Sequence, residues 1–300
     1  MKKFVFSIDI EDWFQVENLK GQIRYTQWPE KECRIDLSTR IVLNILKKRS
    51  IRATFFVLGW IAERKPALIR EIASQGHEIA SHGYKHEMLH TIDEKILEFD
   101  IQKSLEILQP LARNRIIGYR APSFSITKAA TRILRQLNFA YDASLNDFQF
   151  NRRYGKIVTS GKTSRIGGSS VDYSILENGL IEFPISVNTY FSVYWPIGGG
   201  YFRLSPTWFI KRQLRDIFRQ HDIASIYLHP WEFDPGQPHL KSIGVNYYLR
   251  HYFGVENTAK KFDFLLALIE NTPNVEIKTF GDIVKNFVSI NESQNTERQE

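Results

Sequence analysis

The chain has 300 residues and carries 40 Lys and Arg against 33 Asp and Glu, a formal charge of +7. That length suits one large α/β domain, 43% hydrophobic content is ample for a core, and the basic residues are scattered, not striped as nucleic-acid binding requires. Cys33 is the sole cysteine, which excludes an intrachain disulfide and a thiolate metal cluster. Lys2 and Lys3 precede only a short apolar run, broken by Asp9, Glu11 and Asp12 too early for an export signal. No window approaches 18 apolar residues, so the expectation is a cytoplasmic protein without a membrane span.

In chain order, residues 4–8 read as a short buried strand that ends in Asp9-Ile10-Glu11-Asp12. Leu37, Ile41, Ile45 and Leu46 recur at helical spacing, which predicts a helix over residues 36–50. A strand over 53–58 and one helix over 60–75, stopped by Gly76, follow. Residues 77–80 form the next strand, which delivers Ser81-His82-Gly83-Tyr84-Lys85-His86 to its end. Thr91-Ile92-Asp93-Glu94 has capping-box form and opens a helix toward Leu108, ended by Pro110. A strand at 116–119, a helix at 127–138 and a strand at 139–141 come next. Residues 147–170 are polar and Gly/Ser-rich, a loop and hairpin insertion within one domain that spans 1–288. A strand over 180–187, a flexible turn at Gly198-Gly199-Gly200 and a helix from Ser205-Pro206 to Gln220 follow. Residues 223–228 form a strand that lands on His229. A helix over 256–270, a strand at 275–277, a short helix capped by Thr279 and a polar tail at 289–300 close the chain.

Alternating strands and helices predict parallel strands wrapped by helices, a fold in which loops at the strand ends converge on one face. Reading only those ends collects Asp9, Glu11, Asp12, His82, His86, Arg120, Asp142 and His229. Two histidines four apart can grip a divalent metal with few residues, and a carboxylate would complete a three-ligand site with a position open for water. Together these residues describe a metal hydrolase.

The order of these pieces resembles the polysaccharide deacetylase (NodB homology) family, carbohydrate esterase family 4. The matching motifs are Asp9-Ile10-Glu11-Asp12-Trp13, His82-Gly83-Tyr84-Lys85-His86, Arg120-Ala121-Pro122, Tyr141-Asp142-Ala143-Ser144 and Ile226-Tyr227-Leu228-His229. Gly198 to Leu204, His229 to Pro235 and Arg250-His251-Tyr252 are similar to the subgroup found beside exopolysaccharide and exosortase loci. The resemblance implies a deformed (β/α) barrel, with a subgroup-specific C-terminal segment over 231–288. It also implies metal-dependent removal of an N-acetyl group from an amino sugar in a bacterial surface polysaccharide or a lipid-linked or nucleotide-linked precursor. The implied roles are Asp9 as base, Arg120 as its partner, His229 as acid, and His82 and His86 as ligands. Asp12 is favoured over Glu11 as third ligand, with zinc the default ion and cobalt, manganese or nickel also suited to imidazole and carboxylate. Such an ion lowers the pKa of bound water from about 15.7 to about 7.

Backbone amides after Pro122, at Ser123, are candidate oxyanion donors, and Trp13 and Trp231 are candidate sugar-stacking residues, as are Trp195, Tyr201 and Phe202. Asp142 is a candidate partner of His229. Ser125 stands where the family has glycine, and no clear tryptophan follows Asp142 at the family's spacing. The alternatives are a catalytically silent carbohydrate-binding protein on the same scaffold, or a hydrolase of an O-acetyl or N-formyl group. His77, His90, His221, His239 and His251 lack ligand spacing, which leaves them surface or packing roles.

Overall fold

Every second residue of the first strand faces a different environment, and this sets the architecture. In β1 (Lys2–Ile10), Phe4, Phe6, Ile8 and Ile10 join the large apolar layer between sheet and helices, whereas Val5 joins a smaller cluster with Phe56, Ala80, Tyr141, Phe183 and Phe280. Ser7 and Asp9 share the Val5 face, so a polar column rises from that apolar plug. A strand buried on both faces is expected of a parallel sheet covered by helices.

The computed structural model describes residues 1–146, 172–190, 193–240 and 243–287. After β1 come α1 (Ile35–Lys48), β2 (Thr54–Val57), α2 (Gly59–Arg64), α3 (Pro66–Ser74), β3 (Glu78–Ser81) and α4 (Glu94–Leu108). Then follow β4 (Gly118–Tyr119), α5 (Lys128–Gln136), β5 (Tyr141–Asp142), β6 (Ser174–Ile175), β7 (Ile181–Glu182), β8 (Val187–Tyr190) and β9 (Val193–Pro196). The chain continues through α6 (Gly199–Leu204), α7 (Thr207–Gln220), β10 (Ile223–Leu228), α8 (Val245–Tyr252), α9 (Val255–Glu270) and β11 (Val275–Ile277).

The main sheet runs β10-β1-β2-β3-β4-β5-β7-β6, with β11 also pairing β1, and every pairing is parallel except β6 with β7. The fold is mixed α/β with a curled parallel half-barrel sheet. Its register fixes the site: Ile8 lies beside Leu228, Val57 beside Ser81, and Ser81 beside Tyr119. Asp9, His229, His82 and Arg120 each follow one of those residues, so all four leave the same edge.

Several boundaries differ from the sequence expectation for local reasons. The helix expected over 60–75 is two helices, because Pro66 cannot continue α2 and instead takes the first position of α3. Asp93, not Thr91, caps α4 by accepting from the amides of Lys95 and Ile96. The strand expected over 180–187 divides at Pro184, and its second part, β8, pairs with β9 in a separate two-stranded sheet. Gly198-Gly199-Gly200 enters α6 instead of forming a free turn, and Pro206, not Ser205, stands at the N-cap position of α7, with no side-chain cap. Gly198 is required there, since a Cβ would lie 2.4 Å from the Tyr227 ring. Helix α8 had no sequence expectation. The insertion at 147–170 and the tail at 289–300 lie outside the described residues.

Candidate functional site

The strand edge supplies the groups in pairs. Arg120 is fully buried and donates through Nη1 to Asp9 Oδ1 at 2.7 Å and to Ser7 Oγ at 2.8 Å, and through Nε to the Ala143 carbonyl at 2.9 Å. Its guanidinium lies 4.0 Å from the centre of the Phe56 ring. A buried guanidinium bonded this way fixes the Asp9 carboxyl in place.

Beside that pair, Glu11 Oε1 lies 3.1 Å from His82 Nε2 and 3.0 Å from His86 Nε2. All three residues are buried, and their ligand atoms lie within 4.8 Å of one another. His82 Nδ1 donates to the Arg120 carbonyl at 2.7 Å, since that oxygen can only accept, and this bond turns Nε2 toward the cluster. Burial alone would raise the Glu11 pKa, but the neighbouring His86 and His229 hold it well below the usual carboxylate range. Burial lowers the His86 pKa while the Glu11 charge raises it, with a net upward shift. Ligand atoms around a tetrahedral zinc, bound at about 2.0–2.2 Å, stand roughly 3.3–3.5 Å apart, so the cluster needs only slight spreading to admit an ion. Two imidazoles and one carboxylate fit a divalent metal.

Asp12 does not join this cluster. The Glu11 amide donates to the Asp9 carbonyl, a tight bend that turns Glu11 toward the histidines and sends Asp12 the other way. Asp12 Oδ2 instead accepts from the amides of Arg34 at 2.8 Å and Ile35 at 3.1 Å, and Oδ1 accepts from Trp13. It therefore satisfies free amides at the start of α1. Burial pushes its pKa up to about 6 against the pull of those amides. The structure thus brings Glu11, and not the favoured Asp12, to the two histidines.

The loop that carries the histidines is held by Asp100 of α4, whose Oδ2 accepts from the Tyr84 amide at 2.7 Å and whose Oδ1 accepts from Lys85 at 3.1 Å. Gly83 has φ +72, and a Cβ there would meet Asp100 Oδ2 at 2.8 Å, so only glycine fits. Sequence reasoning missed Asp100. Its signal was a carboxylate on the apolar face of a helix, between Leu97, Ile101 and Ser104.

His229 faces the same space from β10. Its Nε2 is 3.9 Å from both Asp9 Oδ2 and Glu11 Oε1, while Nδ1 is 2.9 Å from Glu232 Oε2. Glu232 in turn accepts from Arg203 Nε at 2.6 Å, with both side chains buried. Burial alone would lower the His229 pKa, but Glu11, Glu232 and Asp9 raise it to about 9. The Trp231 ring stacks 5.4 Å from His229 on one side and 4.3 Å from His251 on the other. His251 is fully buried, its pKa lowered to about 3 by burial and by the Arg203 charge, and acts as packing.

Asp142 is not the partner of His229. It accepts from Ser144 Oγ at 2.7 Å, and Ser144 Oγ accepts from the Ala121 amide at 2.7 Å, so Asp142 braces the loop behind Arg120. Glu232, three residues after His229, holds the position instead. Pro122 begins a tight turn in which Ser123 and Phe124 have φ of 51° and 58°. Ser125 Oγ pins that turn by donating to the Pro122 carbonyl and accepting from the Leu89 amide.

These groups border a cavity of about 360 Å³, whose walls include Ser123, Tyr201, Leu204, Trp231 and Arg250. The volume falls in the range of ligand pockets. Of the candidate stacking aromatics, Tyr201 and Trp231 reach this wall. Trp13 does not: it is buried against Phe14 and donates Nε1 to the Glu32 carbonyl. Phe202 is buried, and Trp195 packs on Tyr201 and Phe209.

Residues 36–141 match the polysaccharide deacetylase family model, and residues 154–278 match a domain of unknown function (DUF3473). Over that first stretch the chain is similar to the polysaccharide deacetylase (CE4/NodB) family. A peptidoglycan deacetylase of Helicobacter pylori is 26% identical over 206 residues, 64% of each chain. A peptidoglycan-N-acetylglucosamine deacetylase of Bacillus cereus is 34% identical over 110 residues, 37% of this chain and 38% of that one. This chain thus spans less than two thirds of either relative. Among solved structures, a Mycobacterium smegmatis protein assigned to the polysaccharide deacetylases superposes with a TM-score of 0.63 at 19% identity, covering 96% of this chain and 91% of that one. That likeness establishes a shared fold. The DUF3473 match spans Arg203, His229 and Glu232, the side of the cavity opposite the histidine pair.

Proposed function

We propose that this polysaccharide deacetylase homologue hydrolyses the acetamido group of an N-acetylated amino sugar and releases acetate. The observation that carries the reading is the convergence of Glu11, His82 and His86 with an arginine-bound Asp9 and a carboxylate-bound His229 on one cavity. Glu11, His82 and His86 would hold a divalent ion, zinc by the chemistry of its donors, with cobalt, manganese and nickel as other fits. Bound there, the ion supplies Lewis acidity and water activated at neutral pH.

This chain's own residues divide the remaining work. Asp9, held in place by Arg120, takes the proton from the attacking water. His229, its Nδ1 engaged by Glu232, carries a proton on Nε2 and gives it to the leaving nitrogen. An amine leaves poorly unless protonated, so a proton donor poised above neutral pH favours an amide over an ester substrate. The turn at Ser123 offers a backbone amide to the developing oxyanion. Tyr201 provides aromatic surface for a sugar ring, while Trp231, stacked between His229 and His251, steadies the His229 imidazole. The runs that form α6 and the His229 loop support the exopolysaccharide-locus subgroup, and with it a bacterial surface glycan or its precursor as substrate.

The test is acetate release. Protein loaded with zinc or cobalt should liberate acetate and a free amine from N-acetylated oligosaccharides, and chelation should abolish turnover. Full activity in metal-stripped protein would overturn the reading. Glycan binding without turnover would favour a silent binding protein, and product analysis separates amide from ester hydrolysis.

A further inference from the structure

On α6, α7 and α8, large apolar side chains stand in solvent. Leu204 at the end of α6 is 51% exposed, and Trp208 in the first turn of α7 is 67% exposed. On α8, Val245 and Leu249 lie one turn apart at 74% and 49%, and Phe253 at the C-cap is 57% exposed. Arg203 ties these pieces together, since Nη2 donates to the Arg250 carbonyl and Nη1 to the Phe253 carbonyl, while Lys261 donates to the carbonyls of Arg203 and Ser205. Leu204 also lines the cavity, as does Arg250. Lone exposed apolar residues are ordinary, but five on elements joined through Arg203 and Lys261, one of them lining the cavity, mark an interaction surface.

The charge beside this group selects the partner. The outer face of α7 carries Lys211, Arg212, Arg215 and Arg219, all exposed, and Asp216 is the one carboxylate shared by the three arginines, at 3.4–3.9 Å. Arg250 adds an exposed cation on α8. A two-fold contact between copies would press this basic face against itself. Exposed tryptophan, leucine and phenylalanine beside a row of arginines and lysines is instead the pattern of a surface that lies in the interface of an anionic bilayer.

We propose that the face built by α6, α7 and α8 docks on an anionic lipid surface and sets the cavity mouth at the headgroup layer. Neither the apolar group nor the basic row belongs to the hydrolytic machinery, so this inference stands or falls apart from the proposed chemistry. Among the described residues no helix is long and apolar enough to cross a membrane, and docking of this kind needs none.

The test is co-sedimentation of the full chain with vesicles of phosphatidylglycerol and phosphatidylcholine, or of phosphatidylcholine alone, at about 0.05 M and about 0.5 M salt. Binding to the mixed vesicles should exceed binding to neutral ones by ~10-fold or more and collapse at the higher salt. A Trp208→Ser/Leu249→Ser/Phe253→Ser variant and a Lys211→Glu/Arg219→Glu variant should each weaken it by ~10-fold with Tm unchanged. Absence of binding, or equal binding to neutral and anionic vesicles, overturns the proposal. So does a dimer by light scattering that both variants dissolve. If a variant unfolds, the lipid and salt series on the unaltered chain decides alone.

Discussion

Two sides of one cavity reach the same strand edge by different routes. On the histidine-pair side, Asp9, His82 and Arg120 each leave the end of a central parallel strand, and Glu11 follows after one tight bend. Most of the supporting contacts are short-range in space and backbone-based: His82 leans on the Arg120 carbonyl and Arg120 on the Ala143 carbonyl. On the opposite side His229 also leaves a strand, but its support comes from Glu232 three residues on, and then from Arg203, a residue of α6 bound to carbonyls around α8. The first side is set by sheet register. The second is set by helices packed over the sheet edge, so it can vary while the first stays fixed.

The largest effect should come from emptying the first side. His86→Ala should lose both bound metal and acetate release, by ~10³-fold or more in rate, read by elemental analysis and product assay. Retention of metal and activity would break the assignment of that side. Asp9→Asn keeps the shape and removes the base, so kcat should fall by ~10²–10⁴-fold with metal content preserved.

On the second side Glu232→Gln removes a charge and leaves an oxygen for Arg203, and kcat should fall by ~10–100-fold with bound metal unchanged. The sign of its pH effect follows from the same charge. Glu232 helps raise the His229 pKa to about 9, so its loss lets His229 shed its proton at lower pH. The alkaline limb of the kcat profile should then move down, and an unmoved limb would show that His229 is not the titrating acid.

The smallest effect separates two neighbours. Glu11→Gln should cost metal binding, whereas Asp12→Ala should keep the metal and cost about 1 kcal/mol at the start of α1, a Tm lower by about 2–4 °C in calorimetry. The reverse outcome would restore Asp12 as the ligand.

Much of this site was legible in the sequence because strand ends are legible. Short apolar runs stop at Asp9, His82, Arg120 and His229, and parallel connectivity brings such ends to one face. The spacing of His82 and His86 needed no tertiary information. What neither pattern nor spacing could decide was the direction of a side chain beyond a strand's last residue. Asp9, Glu11 and Asp12 fall within four positions, and a single amide-to-carbonyl bend sends Glu11 to the histidines and Asp12 to a helix start. Asp142 and Glu232 were both acidic residues near strand ends, yet only Glu232 reaches His229.

The sequence by itself determined the parallel α/β frame and the arrival of Asp9, His82, Arg120 and His229 at strand ends, because these follow from hydrophobic period and chain order. Tertiary structure alone decided the third carboxylate, the Asp100 brace and the Arg203–Glu232–His229 chain. The physical reason is that charge partners are chosen by burial and hydrogen-bond geometry between elements distant in sequence. Those choices are made only when the helices close over the sheet.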